Sequence, residues 1–290
     1  MLTRPTEVTE EEFDDGQDIQ GLKWGLPDIP DKKDFREKRV KDYGSLIVKP
    51  PRSPITVNPA HDPTRIHNFY KFRYTNLGHR CSLHHFQLRY LLSATSRNDL
   101  YYIYANSLRR WDSLSRTSEE IYNFRQSRQA PWKGWMPSTL ACGHDISAIG
   151  GYNGEYAIIP LDQNRRRSMR IGSLAGQHYI TNHVDIITPR QGGVSVIWAN
   201  NDWKIREQNV ETGQFVRVHN LKWPINATAT SPDGRIRAAV GDAKEVVLMD
   251  AQRGDIIKEL HGHNHWSFAV DWKNDGYTFV TGNQDMSARY

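Results

Sequence analysis

One pattern recurs five times after residue 89 and constrains the fold of this 290-residue chain more than any other feature. Each copy has an apolar strand that ends in small residues, a tight turn with Asn or Asp, and a second alternating strand. The turn residues are Asp99, Asn153, Asp202, Asp242 and Asp285, which lie 54, 49, 40 and 43 residues apart. A period of this length is typical of four-stranded propeller blades.

The segments between these turns fit the same arrangement. The stretches "SPDGRI" at 231–236 and "KNDGYT" at 273–278 contain Asp-Gly, which supplies the backbone of a hairpin turn between the first two strands of a blade. The stretches at 211–215 and 252–256 are predicted to connect a third strand to a fourth. The sequence therefore predicts an all-β propeller over residues 67–290.

The last repeat has the most specific pattern. Its motifs follow one another in the order Gly262-His263, Trp266, Ala269-Val270-Asp271-Trp272, Asn274-Asp275-Gly276, Thr281-Gly282-Asn283 and Asp285. This order resembles the WD40 repeat family. The resemblance implies a hydrogen-bond chain of His, Ser or Thr, Asp and Trp that locks each blade. Here it assigns His263, Thr281 and Asp285 to that structural tetrad.

The tryptophan of that tetrad would be residue 291, after the final "SARY", so the resemblance implies a chain truncated within a blade. We therefore expect a WD40-like propeller with about four and a half blades. Tyr104, Ile159, Gln208 and Met249 stand at or near the Trp position of earlier repeats, which should lack the full tetrad. More narrowly, the chain resembles a little-characterised group of fungal and plant WD40 proteins.

The N-terminal region has a different composition. Residues 7–15 contain six carboxylates, no basic residue and one phenylalanine, which predicts a disordered acidic tail over residues 1–17. Residues 18–66 are predicted to form a helical and proline-rich arm, with a helix that begins after Asp31 as N-cap and ends before Gly44. The alternating stretch at 68–76 predicts a strand, and in closed propellers such a strand commonly completes the last blade.

Composition excludes several classes of protein. The mean hydropathy is -0.70 and no apolar run approaches eighteen residues, which argues against a membrane partner or span. The two cysteines and the absence of a signal-peptide pattern predict a cytoplasmic or nuclear protein. The net charge of +5 is spread along the chain, so binding to nucleic acid remains only an alternative.

No catalytic constellation is visible in the sequence. His261, His263 and His265 have alternating spacing, but no second cluster of ligand-type residues accompanies them. Nucleotide-binding loops and nucleophile motifs are also missing. We therefore expect a protein without catalytic residues, metal or cofactor.

Candidate partner-binding residues come from an insertion at 112–137 and from two turns. Thr117 and Glu120 have capping-box spacing, which predicts a helix over 118–129. Trp132, Trp135 and Met136 follow it, and aromatic residues with Met are common in interaction hot spots. Local packing is the alternative interpretation. Two further candidates on the propeller face are Trp203 and Trp266.

A basic patch comprises Arg165, Arg166, Arg167 and Arg170. It could contact phosphate groups, and the arginines before Ser168 suit a basophilic kinase; a solvated loop is the other interpretation. Taken together, the sequence predicts a non-catalytic scaffold that binds protein partners through a propeller surface. The alternative is binding of nucleic acid or phosphorylated partners through the basic patch.

Overall fold

The computed structural model describes residues 6–22, 24–25, 31–42, 71–85, 87–125, 135–162, 164, 168–174 and 180–290. The chain divides into two compact units, Met1–Arg80 and Cys81–Tyr290. The second unit begins later than residue 67, where the sequence predicts the start of the propeller.

In the first unit, two short strands from distant parts of the chain pair with each other. Strand β1 (Glu7–Thr9) lies antiparallel to β2 (Tyr74–Asn76) and buries Val8 completely. Helix α1 (Glu10–Asp14) follows β1, with Thr9 and Glu12 forming a capping box. The segment predicted as a disordered tail thus contains a strand and a helix, because its partner strand lies some 65 residues away and local composition does not reveal it.

Helix α2 (Lys32–Asp42) is the predicted helix of the arm. The carboxylate of Asp31 accepts hydrogen bonds from the N–H groups of Lys33 (2.8 Å) and Asp34 (2.9 Å), which confirms it as the N-terminal cap. The predicted end before Gly44 lies outside the described residues. Of the strand predicted over 68–76, residues 68–70 lie outside the described part, and Tyr74–Asn76 form β2, which pairs with β1.

The second unit consists of five antiparallel sheets, four of them with four strands and the last with three, among the described residues. Sheet 1 contains β3 (Leu92–Ala94), β4 (Asp99–Tyr104), β5 (Ser107–Asp112) and β6 (Thr117–Asn123). Sheet 2 contains β7 (Pro137–Gly143), β8 (Ile146–Gly151), β9 (Glu155–Pro160) and β10 (Arg170–Ser173). Sheet 3 contains β11 (Thr181–Ile187), β12 (Ser195–Asn200), β13 (Lys204–Asn209) and β14 (Phe215–Asn220). Sheet 4 contains β15 (Ile225–Thr230), β16 (Ile236–Gly241), β17 (Val246–Asp250) and β18 (Ile256–Leu260), and sheet 5 contains β19 (Ser267–Trp272), β20 (Phe279–Asn283) and β21 (Ala288–Arg289).

Each sheet is a propeller blade, because its strands follow chain order and the first strands of successive blades lie side by side. Apolar side chains on the facing sides of neighbouring blades form the core. In blades 2 and 3 the second and third strands are the most buried; β12 and β9, for example, are buried along their whole length. Trp198, fully buried between blades 2 and 3, packs at 5.2 Å from the ring of Tyr156.

A repeated hydrogen bond joins the first strand of each of blades 2 to 5 to an earlier segment of the chain. The carbonyl of the first residue in the first strand accepts a bond from a side chain that precedes it in the chain. The pairs are His84 Nδ1 to Pro137 O (2.7 Å), Ser138 Oγ to Thr181 O (2.6 Å), Asn182 Nδ2 to Ile225 O (2.8 Å) and Asn226 Nδ2 to Ser267 O (3.2 Å). We call these the seam bonds. Three of the donors occupy the second position of a first strand, where a β-bulge redirects the side chain.

The predicted turns are largely confirmed. Residues 231–235 and 273–278 join first to second strands, and the 210–214 and 251–255 connections join third to fourth strands. In blade 1, however, the predicted turn residue Asp99 lies one strand earlier than the pattern predicts. Asp99 begins β4 instead of lying between the second and third strands, where Ala105 and Asn106 form the turn.

This shift also corrects the position equivalent to the WD40 tryptophan. Ile159, Gln208 and Met249 lie on third strands as predicted, but Tyr104 ends a second strand. The third strand of blade 1 instead contains Trp111, followed by Asp112. The first blade therefore has a Trp-Asp pair that the repeat comparison missed.

The helix predicted over 118–129 is wrong for the part that the structure describes. Residues Thr117–Asn123 form β6, the fourth strand of blade 1, paired with β5. The capping-box spacing of Thr117 and Glu120 is a local signal. In the folded chain Glu120 instead accepts a hydrogen bond from the Ser107 hydroxyl across the ladder, at 2.7 Å. Residues 126–134 lie outside the described part.

Candidate interaction face

Connections at the two ends of the strands form two faces of the propeller. The face that we call upper carries the turns between second and third strands and the segments that enter each first strand. The lower face carries the turns between first and second strands and between third and fourth strands. This follows from the antiparallel order of every blade and the side-by-side packing of the first strands.

Large apolar side chains are exposed mainly on the upper face, apart from those on the outer strands. Trp203 is 52% exposed and Trp266 is 42% exposed. They are accompanied on this face by Tyr104, Met136 and Met286. On the lower face the exposed large apolar residues include Leu114 and Tyr277. Two of the predicted tryptophans therefore lie on the face that is richer in aromatic and methionine side chains.

Trp203 has a backbone conformation that is unfavourable for residues other than glycine. Its φ angle is +69°, in the left-handed region. The corresponding turn of blade 2 has Gly154 with φ +79°, and that of blade 5 has Met286 with φ +63°. A left-handed conformation costs a non-glycine residue roughly 1–2 kcal/mol. Trp203 is thus exposed at a position where glycine would be more stable.

A buried ion pair fixes the turn that presents Trp203. Asp202 binds Arg206 through two contacts of 2.9 and 2.5 Å, and both side chains are nearly inaccessible. Arg206 also donates to Asn200 at 3.3 Å, and the carbonyl of Trp203 accepts from the Leu221 N–H at 2.8 Å. The turn is therefore rigid, and the indole meets solvent without a large further loss of conformational freedom.

The three predicted tetrad residues of blade 5 lie together. His263 Nε2 is 2.8 Å from Thr281 Oγ1, and His263 Nδ1 is 3.3 Å from Asp285 Oδ2. All three side chains are buried. Burial alone would raise the pKa of Asp285, but hydrogen bonds from the Ser287 hydroxyl, from the N–H groups of Asn264 and Ser287 and from His263 outweigh it and lower the pKa to about 2.

This network also fixes Trp266, which lies in the segment between His263 and β19. The carbonyl of Trp266 accepts from the Gln284 N–H at 2.9 Å, and the neighbouring His265 carbonyl accepts from Asn283 Nδ2 at 2.5 Å. The rings of His265 and Trp266 lie 4.9 Å apart. The blade network and the exposed indole are therefore parts of one rigid loop arrangement.

In blade 3 a different set of residues occupies the place of the tetrad. Gln208, at the position of the WD40 tryptophan, accepts from the indole N–H of Trp198 at 3.1 Å and donates to the Tyr156 hydroxyl at 3.0 Å. The predicted absence of a full tetrad thus comes with a substitute that links blades 2 and 3. The sequence comparison gave no sign of it, because its partners come from two blades.

The three candidate partner-binding residues of the insertion lie in different environments or outside the described part. Trp132 lies outside the described residues, and Met136 is 39% exposed on the upper face. Trp135, in contrast, is 2% exposed and packs edge-on against Phe124 at 4.4 Å in the core of blades 1 and 2. The interpretation of Trp135 as a partner-binding residue is therefore wrong for this structure. Trp135 contributes to local packing, which is the alternative interpretation given above.

The basic patch is only partly described. Arg165, Arg166 and Arg167 lie outside the described residues, whereas Arg170 begins β10. Its guanidinium donates to the Val210 carbonyl at 3.1 Å and to the Glu211 carbonyl, so it fastens blade 2 to a turn of blade 3. Arg170 therefore has a structural contact that occupies part of its hydrogen-bonding capacity.

Within the described part of the chain, no group of three or more His, Cys, Asp or Glu side chains is arranged to hold a metal ion. A search of the same residues finds no helix long and apolar enough to cross a membrane.

Comparison with solved structures identifies the architecture. A chain in a crystal structure of the mitotic checkpoint complex superimposes with a TM-score of 0.55 over 67% of this chain, at 14% sequence identity. The fold is that of a WD40-like β-propeller. The aligned part spans 56% of that solved chain, and 1472 solved chains are similar, so the likeness defines a widespread fold and no particular activity. No protein-family model matches the sequence, and no curated protein matches it.

Proposed function

We propose that this chain is a non-catalytic scaffold that binds a protein partner through the upper face of its propeller. WD40-like propellers generally mediate contacts between proteins. The observation that carries the proposal for this chain is the exposed indole of Trp203 in a left-handed turn. Strain of this kind persists where it serves a function, and an interaction surface is the role that an exposed tryptophan suits.

The composition and rigidity of the upper face support the same role. Tryptophan, tyrosine and methionine are enriched in protein interfaces, and all three types are exposed there. The turns of Trp203 and Trp266 are fixed by buried polar networks, so little conformational entropy is lost on binding. A partner would therefore bury the two indoles as anchors within a rim of polar turn residues.

The proposal is tested by affinity capture from a cell extract with the tagged full chain as bait, followed by quantitative mass spectrometry. The test variant is Trp203→Gly with Trp266→Ala, and the matched control is Leu114→Ala with Tyr277→Ala on the lower face. We expect at least one protein to be depleted roughly tenfold or more by the upper-face variant and retained by the control, since hot-spot residues contribute about 2 kcal/mol or more. An identical protein set with both variants would contradict the proposal.

The captured protein is then purified and its affinity is measured directly at two salt concentrations. A contact centred on tryptophan should weaken little with salt. A steep loss of affinity with salt, or loss of capture after nuclease treatment, would favour the basic-patch alternative instead.

A further inference from the structure

Close to the lower face lies a buried arginine whose terminal nitrogens have no hydrogen-bond partner among the described residues. Arg237, on β16 of blade 4, is 1% exposed and is among the largest fully buried side chains. Its Nε donates to Thr230 Oγ1 at 3.1 Å. Its terminal nitrogens Nη1 and Nη2 are also buried and have no hydrogen-bond partner within the described part of the chain.

Such an arrangement is costly. Burial disfavours the charged form and lowers the pKa of Arg237, while Glu207 and Asp185 favour the charge and Arg217 opposes it. A guanidinium nevertheless keeps its proton in proteins. A buried ion without hydrogen-bonded compensation costs several kcal/mol. The four N–H groups on the terminal nitrogens therefore call for acceptor oxygens, preferably with negative charge.

Of the two carboxylates that favour the charge of Arg237, Glu207 is already engaged. Glu207, 2% exposed, accepts from Arg217 Nη1 at 2.8 Å, and Arg217 Nη2 donates to Gln191 Oε1 at 3.2 Å. Glu207 thus offsets the charge of Arg217 rather than bonding to Arg237. Together with the exposed Arg190, the cleft has three arginines and one glutamate along its lining, and its electrostatic character is cationic.

The cleft opens on the lower face between blades 3 and 4. Its rim comes from three separate turns, which contribute Arg190 with Gln191, Gly234, and Gln252. Gly234 has φ +70°, and a Cβ at this position would lie 3.0 Å from Arg190 Cγ, so glycine leaves room for the arginine stem. The exposed side chains of Arg190 and Gln191 can rotate without breaking the core.

The free space in the cleft is small. Its volume is about 20 Å³ for the centre of a water-sized group, which is enough for one water molecule or one oxygen atom. A larger molecule cannot enter whole. A single anionic group can place its oxygens there if the rim side chains move aside.

We propose that this cleft binds one small oxyanionic group, a carboxylate or a phosphate, through the terminal nitrogens of Arg237. Once the rim side chains have moved aside to admit a second oxygen, two parallel N–H···O bonds would give each terminal nitrogen one acceptor, as in other guanidinium–oxyanion pairs. Arg190 at the rim adds attraction for the incoming charge. The site lies on the face opposite Trp203 and Trp266 and does not depend on the partner proposed for that face.

The test is a titration of the full chain with sodium phosphate and with sodium acetate at constant ionic strength, with chloride as the reference salt. Binding is followed by calorimetry and by chemical-shift changes of arginine side chains. We expect saturable binding of at least one of the two anions and a loss of affinity of about tenfold or more in Arg237→Met. Arg253→Met serves as the matched control, since Arg253 is an exposed arginine of the same face.

A second variant keeps the test valid if Arg237→Met fails to fold. Gln191→Glu, at the exposed rim, adds a carboxylate that competes with the external anion, so it should weaken binding by a similar factor. If only phosphate or only acetate binds, the proposal holds and the source of the group is identified. If wild type responds to both anions as it does to chloride, or if Arg237→Met or Gln191→Glu binds as wild type does, the proposal is overturned and a buried water is the occupant.

Discussion

Removal of the Asn226 side chain tests whether the seam bonds stabilise the propeller. In Asn226→Ala, the Ser267 carbonyl loses its donor at 3.2 Å, and Asp242 Oδ1 loses a second bond of 2.9 Å from the same amide. A bond to a charged group contributes about 1.5–3 kcal/mol and a neutral one about 0.5–1.5 kcal/mol. We therefore expect the free energy of unfolding to fall by about 2–4 kcal/mol.

Matched variants at the equivalent positions of blades 3 and 2 give the loss of unfolding free energy expected for a single seam bond. Asn182→Ala removes one seam bond to a neutral carbonyl, with weak amide contacts of 3.3 and 3.4 Å, and Ser138→Ala removes one seam bond. Each should cost about 1–2 kcal/mol. The predicted order of destabilisation is therefore Asn226→Ala first and the other two behind it, as measured by urea unfolding at neutral pH.

The pH dependence distinguishes the charged contact from the seam bond. Burial raises the pKa of Asp242, and the bond from Asn226 partly lowers it again. Since the folded state holds this proton more tightly than the unfolded chain, stability falls as the pH rises through the range where Asp242 ionises. Loss of Asn226 makes that fall larger. The loss of unfolding free energy in Asn226→Ala should thus be greater near pH 7 than near pH 4. An equal loss at both pH values would refute the reasoning.

Three further predictions concern other sites. Burial raises the pKa of Asp185 to about 6, so the free energy of unfolding should fall as the pH rises from about 4 to about 6. Asp185→Asn should abolish this pH dependence and stabilise the chain by about 2 kcal/mol at pH 7. Thermal unfolding measured at several pH values tests both expectations. Gly151→Ala should destabilise by about 1–3 kcal/mol, because a methyl group there collides with the side chains of Trp135 and Glu155; chemical denaturation measures this. Ser168, which is exposed, should be phosphorylated by a basophilic kinase, and mass spectrometry that finds it unmodified while other sites react would contradict this.

The blade period and most hairpin turns could be predicted from sequence because they depend on local chemistry. Asp-Gly turns and alternating strands are signals within about ten residues. The blade 1 error has the same origin: the polar turn before Asp99 has the composition of a turn between second and third strands, and its true counterpart at Ala105 is less polar. Local composition cannot tell equivalent turns at opposite ends of a blade apart.

The features that escaped prediction depend on residues far apart in the chain. Strand β1 forms because Val8 meets Thr75, and Gln208 replaces a tetrad tryptophan through Tyr156. The burial of the Arg237 terminal nitrogens without hydrogen-bond partners among the described residues follows from contacts between blades 3 and 4. Among the predicted partner residues that the structure describes, Trp203, Trp266 and Met136 are exposed, whereas Trp135 is buried.

The seam bonds have a consequence for how this architecture diverges. In all four, the donor is a side chain on the earlier segment, whereas the acceptor is a backbone carbonyl that any amino acid provides. The later blade therefore contributes no side chain to the seam bond, although its side chains, such as Gln208 and Trp198, still contact the earlier blade at the same junction. Substitution of the acceptor residue should thus leave the seam bond in place, whereas substitution of the donor removes it. The seam bonds are one-sided in this sense: the amino acid on the earlier segment decides whether the bond can form.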